Sequence, residues 1–370
     1  MPAHGNTVLY PDQLVKGLLL SFYHPMVRSL RTIEGLGNFK GQIDLPQLAR
    51  STTADALAVF DPIHLLPLIN DLRDRVPQLA RVNTDLAGIA NRIIAADGTY
   101  LTTLANVAWA LHHTKTNGRT QAQVRANVQL DVANWAPQVV TLSGDDDESE
   151  PKAFAGDLLS GVLYVVDRNF CDFGFLSAVL AKASDFVLRI RSNAPAMKVL
   201  EIRPLTAADA AAGVQSDQRV ELTGRNAPAG TFRCVTIQTT DRQGKPQTLR
   251  LLSNLTGAEV AAHVIGAVYR LRWQIELFFK WLKTWARMGH LLSTSRQGIT
   301  TQLYIAVIAV LMLHIQSGYR VSIYSLLALS HVASGILSIE QAMAVIAKRE
   351  RERALERARQ ARRRACKKLT

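Results

Sequence analysis

A short apolar run that ends in an aspartate constrains the fold of this chain more than any other feature. Residues 161–167, GVLYVVD, place five hydrophobic side chains between Gly161 and Asp167. Such a run is too short for a typical helix and has no polar alternation, so it is typical of a strand buried on both faces of a parallel sheet. A helix over 172–183 and a second strand over 185–191 are predicted to follow. The sequence therefore predicts an α/β fold.

A second aspartate follows another apolar segment. Residues 89–97, IANRIIAAD, predict a strand that ends at Asp97, and 101–111 and 126–132 are further strand candidates. Binding sites of α/β sheets form at strand ends. Asp97 and Asp167 are therefore expected to share a site.

The first 85 residues are predicted to be helical. Residues 12–30 and 61–76 have helical apolar spacing, and each segment opens with an aspartate in a capping position. Residues 45–60 resemble a helix-turn-helix, with residues 51–53 as turn and cap. A small helical bundle without DNA contacts is an equal alternative.

Other segments have distinct patterns. Residues 195–256 contain short alternating runs and are predicted to be β-rich, and most of 257–364 is predicted to be helical. The acidic run DDDESE, residues 145–150, is expected to be a solvated loop, because adjacent carboxylates repel and do not converge on one ion.

The charge of the chain indicates a polyanionic partner. The net charge is +13, and residues 348–368 contribute eleven Lys or Arg against three Glu, which leaves about +5 for the rest. Nucleic acid is the first expectation and an anionic membrane surface the second. The basic tail is either a solvated helix or a clamp on the DNA backbone that gains order on binding.

Cysteine spacing and hydropathy indicate a soluble cytosolic protein. Cys171, Cys234 and Cys366 are far apart, which fits a reducing compartment and argues against structural zinc. The N-terminus lacks a signal-peptide pattern. The longest apolar run, 303–313, is much shorter than the roughly 18 residues that a membrane span needs. It is expected to be a buried helix.

Residues 257–285 predict one long helix, since they contain no proline and only one glycine. At about 100° per residue, one narrow stripe of this helix holds four polar side chains, whereas most other positions are apolar. The four are Tyr269, Arg272, Glu276 and Lys283.

Two interpretations of this stripe are open. In the first, Glu276 pairs with Arg272 and Lys283 in a solvated groove. In the second, Glu276 is a metal ligand, and the tyrosine, arginine and lysine bind a phosphate beside it. The second is favoured by Asp97 and Asp167, because two aspartates and a glutamate form an oxygen-rich site suited to Mg²⁺.

These motifs resemble a known family. The spacing Tyr269-x2-Arg272-x3-Glu276-x6-Lys283 is similar to the YREK motif of DDE transposases of the bacterial insertion sequence four family. AADGTYL, residues 95–101, and VVDRNF, residues 165–170, resemble the two aspartate blocks of that family. The resemblance covers about residues 85–290 in the same order.

The resemblance implies an RNase H-like core and cut-and-paste transposition. Asp97, Asp167 and Glu276 would be catalytic and bind two Mg²⁺ ions, for which Mn²⁺ could substitute. Tyr269, Arg272 and Lys283 would bind DNA phosphates, and Arg168, next to Asp167, could reach a phosphate or pair locally. The reaction would hydrolyse the transposon end, form and open a hairpin, and transfer the strand into target DNA.

The implied organisation is an RNase H-like core with a β-rich insertion, flanked by helical regions. The segments are a DNA-binding region (1–85), the first part of the core (86–194), the insertion (195–256), the catalytic helix (257–290), a C-terminal helical region (291–347) and the basic tail (348–370). The partners would be transposon-end DNA and target DNA, with a homodimer in the complex and no membrane. The location would be the bacterial cytoplasm, associated with the nucleoid.

The sequence departs from the family at one point and leaves rival functions open. Relatives often place a stacking tryptophan in the insertion, whereas Phe232 is the only aromatic residue of 195–256. Phe232 either takes that role or belongs to the core. The rivals are a DDE-type nuclease without strand transfer and a domesticated, non-catalytic DNA-binding protein.

Overall fold

The computed structural model divides the chain into two compact units. It describes residues 9–23, 27, 29–36, 49–77, 86, 89, 92–103, 107, 109–110, 112–116, 119–144, 149–191, 195–240, 244–284, 288 and 291–369. We name residues 1–77, 102–107 and 280–370 the helical unit, and residues 78–101 and 108–279 the sheet unit.

The α-helices of the described residues are numbered in chain order. They are α1 (Pro11–Tyr23), α2 (Leu30–Leu36), α3 (Arg50–Val59), α4 (Leu66–Arg75), α5 (Glu150–Ala155), α6 (Phe173–Ala181), α7 (Ala207–Ala211), α8 (Ala262–Arg270), α9 (Trp273–Thr284), α10 (Arg296–Ser317), α11 (Ile323–Ala333) and α12 (Ile339–Leu369). Short 3₁₀ helices cover Pro62–Leu65 and Arg168–Phe170.

The helical unit is built around α10. This helix packs against α1, α3 and α4, and the Tyr23 hydroxyl donates a hydrogen bond to the Ala309 carbonyl at 2.8 Å. By length and composition α10 could cross a membrane, but 72% of its apolar 18-residue stretch is buried inside the protein. Core helices of soluble proteins have the same character, as expected for the run 303–313.

The N-terminal helices differ in detail from the sequence prediction. The segment 61–76 is helical as predicted, and the Asp61 carboxylate caps it by accepting the Ile63 amide at 3.0 Å. The helix expected over 12–30 ends at Tyr23. Residues 51–53 lie inside α3 and form no turn, so the helix-turn-helix prediction is wrong at its turn.

The side chain of Thr53 explains why the predicted turn at residues 51–53 is helical instead. Thr53 is buried and its hydroxyl donates to the Ala49 carbonyl at 3.0 Å, within the first turn of α3. A Ser or Thr side chain that bonds to the preceding turn is satisfied inside a helix, although composition suggests a turn.

Ten strands of the described residues form one sheet. They are β1 (Arg92–Thr103), β2 (His112–Thr116), β3 (Arg119–Asp131), β4 (Ala136–Ser143), β5 (Val162–Val166), β6 (Asp185–Ile190), β7 (Met197–Ile202), β8 (Val214–Leu222), β9 (Phe232–Thr240) and β10 (Pro246–Ser253). The order is β2-β3-β1-β5-β6-β10-β9-β8-β7, with β4 paired to β3.

The centre of this sheet is parallel. Strands β1, β5 and β6 run in the same direction, and all five residues of β5 are buried, which confirms the strand predicted from residues 161–167. The helix α6 connects β5 to β6 as predicted. The remaining measured pairings are antiparallel, so residues 195–256 are β-rich as predicted. Phe232 packs against Phe186 in the core.

Strand β1 does not end at Asp97. It continues to Thr103, and beyond Asp97 its odd-numbered residues Thr99, Leu101 and Thr103 are buried while Tyr100 is exposed. This alternation stabilises a strand with one covered face. The predicted strand over 101–111 is therefore the end of β1, and Trp109 lies in a turn.

The predicted long helix over 257–285 is broken. Helix α8 ends at Arg270, and α9 begins at Trp273. The break is bridged by short-range backbone bonds, including Arg272 N–H to the Tyr269 carbonyl at 3.1 Å and Ile275 N–H to the Arg272 carbonyl at 3.1 Å. Trp273 is 44% exposed, so the segment is not buried all round. No glycine or proline marks the break, which is why periodicity did not predict it.

The basic tail is part of a regular helix. Helix α12 runs without interruption from Ile339 to Leu369, so residues 348–369 continue the preceding helix. Its first turns pack against α11 through Ala342 and Ile346. The tail is therefore helical, and its contact with the DNA backbone stays a prediction.

Candidate active site

Asp97 and Asp167 lie at the same level of two adjacent parallel strands. The last paired residues of β1 and β5 are Ala95 and Val165, and each aspartate follows two residues later. Adjacent strands are about 4.8 Å apart, so the two aspartates emerge next to each other. Asp167 also occupies the N-cap position of the 3₁₀ helix that follows β5. The two strands therefore place the aspartates at the same level of the sheet.

The break between α8 and α9 brings three further side chains to these aspartates. The Tyr269 hydroxyl donates to Asp167 Oδ1 at 3.3 Å. Nitrogen Nη1 of Arg272 lies 3.3 Å from Asp97 Oδ2 and 3.2 Å from Glu276 Oε1. The guanidinium of Arg272 therefore links Asp97 to Glu276, and a third contact joins Tyr269 to Asp167.

A fourth carboxylate belongs to this cluster and was not predicted. Glu150 opens α5 and is only partly exposed, and its Oε1 occupies the space over the Cα of Gly98, where an added Cβ would lie 2.4 Å away. The solvated-loop prediction is therefore wrong for Glu150, whereas residues 145–148 lie outside the described residues. The signal was Pro151, since proline is common in the first turn of a helix.

The environment of Asp97 disfavours its negative charge. Burial, together with the nearby Glu150 and Glu276 carboxylates, raises the pKa of Asp97 to about 7 against the opposing effects of Arg272 and the Gly98 amide. Burial also raises the pKa of Glu150. Crowded carboxylates of this kind are stabilised by an added cation.

The tyrosine and arginine of the cluster keep their protons at neutral pH. Burial and the Asp167 charge raise the pKa of Tyr269 to about 12. Burial opposes the charge of Arg272, but Tyr269 and Asp167 outweigh it and raise its pKa. Both side chains are therefore hydrogen-bond donors.

Two further predicted DNA-binding residues are exposed. Arg168 is exposed in the 3₁₀ helix directly after Asp167. Lys283 is exposed on α9, seven residues after Glu276, and belongs to the helical unit. The role of Lys283 at the carboxylates stays a prediction.

The donor chemistry of the site fits a divalent cation. Its ligand atoms are carboxylate oxygens, which hard cations such as Mg²⁺ prefer. Asp97 and Glu276 already share one cation, the guanidinium of Arg272. Among the described residues, however, no group of three or more His, Cys, Asp or Glu side chains is spaced to hold a metal ion. The side chains would therefore have to rearrange around a metal ion.

Comparison with known proteins places the sequence in one family. Residues 89–312, more than half of the chain, match the family model described as "Transposase DDE domain". The matched range contains every proposed carboxylate, together with Tyr269, Arg272 and Lys283. Transposases with this domain generally use divalent metal ions and bind DNA at transposon ends.

Three curated relatives carry names of the same kind. A Sinorhizobium fredii protein named as transposase y4zB is 26% identical over 54% of this chain and 55% of its own length. A Geobacillus stearothermophilus protein named for insertion sequence element IS5377 is 26% identical over 59% of this chain and 54% of its own. A Synechocystis protein named for insertion sequence element IS4SA is 24% identical over 60% of this chain and 59% of its own length. The chain thus spans little more than half the length of these relatives.

Proposed function

The chain belongs to the transposases with a DDE domain, and on that premise we propose that it moves an insertion sequence by cut-and-paste transposition. The observation that carries this proposal is the shared contact of Arg272 with Asp97 and Glu276, beside Asp167 on the neighbouring strand. An ion pair between Arg272 and Asp97 that served only stability would not need a second aspartate, Asp167, at the same level of the neighbouring strand.

Asp97, Asp167 and Glu276 are the proposed catalytic residues, and they would hold two Mg²⁺ ions, with Mn²⁺ as a substitute. When bound, such ions activate a water molecule or a 3′-hydroxyl and stabilise the leaving oxygen of a phosphodiester. The protein itself supplies the negative charge, and burial of Asp97 keeps bulk water away from that charge.

The cationic residues of the site are proposed to bind the DNA strand. Arg272 is held close to the carboxylates and can form a forked contact with a phosphate. Tyr269 stays protonated and can donate to a phosphate oxygen once it leaves Asp167. Arg168 and Lys283 are exposed and can reach phosphates as long, flexible cations.

The reaction is proposed to run through a hairpin. Hydrolysis at the transposon end frees a 3′-hydroxyl, which attacks the opposite strand, and the hairpin then opens before strand transfer. Phe232 is 1% exposed inside the core, so it does not supply a stacking platform for a displaced base. The stacking role is therefore unassigned in the insertion.

The proposed assembly is a homodimer that holds transposon-end DNA and target DNA. Proteins of this family are generally soluble and cytoplasmic. The net charge of +13 supports retention on the nucleoid, because a basic protein binds DNA without sequence preference.

Incubation of the full chain with its own flanking DNA ends and Mg²⁺ tests the proposal. Separation on a denaturing gel should resolve nicked, hairpin and joined products, all of which should disappear in Asp97→Asn. Nicks without joined products would identify the rival nuclease. Binding without any cleavage would identify the non-catalytic DNA-binding protein and overturn the proposal.

A further inference from the structure

A cavity of about 430 Å³ opens in the sheet unit beside the carboxylate cluster. Its lining contains three arginines and one carboxylate, an excess of positive charge that the proposed catalytic residues do not explain. The arginines are Arg125, Arg168 and Arg191, and the carboxylate belongs to Glu150. We name this space the arginine cavity.

The arginine cavity borders the backbone of the catalytic strand. A Cβ added to Gly98 would lie 2.4 Å from Glu150 Oε1 and 2.8 Å from Arg125 Cδ. Both lining side chains therefore pack directly on the residue that follows Asp97. Whatever occupies the cavity lies next to the reacting centre of the proposed reaction.

One arginine of the cavity is held in place by a buried polar chain. Arg125 Nε donates to Asn127 Oδ1 at 2.8 Å, and Asn127 Nδ2 donates to Ser143 Oγ at 2.7 Å. The exposed fractions of these residues are 5%, 2% and 3%. A buried cation is unfavourable unless it is paired and oriented, so this chain fixes the position of the Arg125 side chain.

The negative charge of Glu150 does not balance the whole positive charge of the cavity lining. Burial raises the pKa of Glu150, and the nearby charge of Arg125 opposes this shift without reversing it. One carboxylate offsets one arginine, and Arg168 and Arg191 contribute two further positive charges from exposed positions at the same cavity. The cavity therefore favours an anionic ligand.

The size of the cavity restricts the ligand. A volume of about 430 Å³ is that of a small-molecule site, at the lower end of the usual range of about 300–1,000 Å³. It admits a phosphodiester with part of one nucleotide, but not a duplex, whose major groove alone is about 12 Å wide. Arginine is the side chain best suited to such a group, because its planar fork matches phosphate oxygens.

We propose that the arginine cavity binds a backbone phosphodiester of the DNA strand adjacent to the scissile linkage. Arg125 is the fixed contact, and Arg168 and Arg191 close on the phosphate from the mouth of the cavity. This inference rests on the proposed function, because it assigns a subsite for the DNA that the carboxylates cut. It adds Arg125 and Arg191 to the DNA-binding residues expected from the sequence.

The test measures binding of the full chain to a fluorescein-labelled forked DNA, a duplex with a short single-stranded extension. EDTA in the buffer prevents cleavage, so anisotropy reports binding alone at a series of salt concentrations. The variants are Arg168→Gln, Arg191→Gln and Arg125→Met. The matched control is Arg219→Gln, which removes the same charge from the exposed face of β8, where the side chain is 51% exposed.

Each cavity variant should weaken binding about tenfold, the loss expected for one charge-assisted hydrogen bond. The slope of log K against log salt should also become shallower by about 0.7 to 0.9 per lost phosphate contact. Arg219→Gln should change neither quantity appreciably. Melting curves identify variants that fail to fold, and the exposed Arg168 and Arg191 decide the result if Arg125→Met does not fold.

Two outcomes are contrary and can be told apart. If the parent protein binds forked DNA and the folded Arg168 and Arg191 variants behave like Arg219→Gln, the arginine cavity is not a phosphodiester site and Arg168 is not a DNA contact, whereas the proposed transposition activity stands. If the parent protein does not bind DNA at any salt concentration, the proposed function fails and this inference fails with it.

Discussion

Arg272 and Asp97 form an ion pair across 175 residues of sequence, with Nη1 of the arginine 3.3 Å from Oδ2 of the aspartate. The same nitrogen lies 3.2 Å from Glu276 Oε1. A guanidinium thus provides a positive charge beside the partly buried carboxylates of Asp97 and Glu276. Any divalent cation that binds these carboxylates has to compete with Arg272.

Arg272→Met should therefore leave the repulsion between the Asp97 and Glu276 carboxylates without a compensating positive charge. We expect the metal-free protein to lose on the order of 1 kcal/mol of stability, because the hydrogen-bond donor to two partly buried carboxylates is removed. Mg²⁺ should raise the melting temperature more in Arg272→Met than in the parent, since it no longer competes with the guanidinium. Differential scanning fluorimetry with and without Mg²⁺ measures both effects, and Arg219→Met is the control. An Mg²⁺ shift that is equal in both proteins would contradict the competition.

Gly98→Ala should be destabilising for a steric reason. The new Cβ would lie 2.4 Å from Glu150 Oε1 and 2.8 Å from Arg125 Cδ, and overpacking of this kind costs about 1–3 kcal/mol. Gly156→Ala is the matched control, because nothing lies within 4 Å of its Cβ position and its φ is −70°. It should be neutral or slightly stabilising.

A double substitution checks that Glu150 is the obstacle. In a Glu150→Ala background, Gly98→Ala should cost less than in the parent, and the difference is the coupling energy of the pair. Urea unfolding of the four proteins gives this value. Additive effects would mean that Glu150 does not pack on Gly98.

His314 should make the stability of the helical unit depend on pH. It is buried in α10, and neither ring nitrogen has a hydrogen-bond partner within the described part of the chain. Burial, together with the charge of Arg320, lowers its pKa to about 4, whereas an unfolded histidine titrates near 6.5. The unfolded state therefore takes up the proton first as the pH falls, and stability decreases between about pH 6.5 and pH 4.

His314→Leu should remove this decrease. We expect the variant to gain stability relative to the parent on acidification, by on the order of 2 kcal/mol at the low end of that range. Thermal melts across the pH series measure the gain. The exposed His331, changed to Leu, should leave the pH profile of the parent unaltered. A parallel pH dependence in His314→Leu and the parent would show that His314 is not responsible.

Deletion of residues 348–370 should weaken non-specific DNA binding. The deletion removes eight net positive charges but leaves Ala342 and Ile346, which pack α12 on α11. Affinity for random-sequence duplex DNA should fall and its salt dependence should become shallower. End cleavage at low salt should survive, because every proposed metal ligand precedes residue 348. An unchanged salt slope would mean that this part of α12 does not contact DNA.

Part of the fold and site was predictable because it depends on local patterns. The buried run of β5 and the position of Asp167 at its end follow from hydrophobicity alone. The placement of Asp97 at the same level as Asp167 follows once β1 and β5 are parallel neighbours.

The remaining features depend on contacts distant in sequence. The turn between α8 and α9 contains no glycine or proline. Arg272 in this turn forms an ion pair with Asp97 on strand β1, which is distant in sequence. Glu150 lies at the end of an acidic run, yet it packs on Gly98. Neither contact leaves a periodic signal, so sequence analysis predicted an unbroken helix and a solvated loop instead.

The central claim is that Glu276 takes part in cleavage rather than only in an ion pair. Glu276→Gln keeps the size of the side chain but removes the charge that a Mg²⁺ ligand needs. Glu201→Gln is the matched control, because that side chain is exposed and lies in β7 of the same sheet unit. If Glu276 served only as a partner of Arg272, its substitution should lower stability and spare the activity of the folded fraction.

The most direct measurement is single-turnover cleavage of end DNA with Mg²⁺ by folded Glu276→Gln, with a melting curve and a binding titration on the same preparation. We expect cleavage to fall by more than about a hundredfold, since even changes behind the metal ligands cost up to that factor. Folding and DNA binding should be nearly unchanged. A folded Glu276→Gln protein that cleaves at the parent rate would contradict the account.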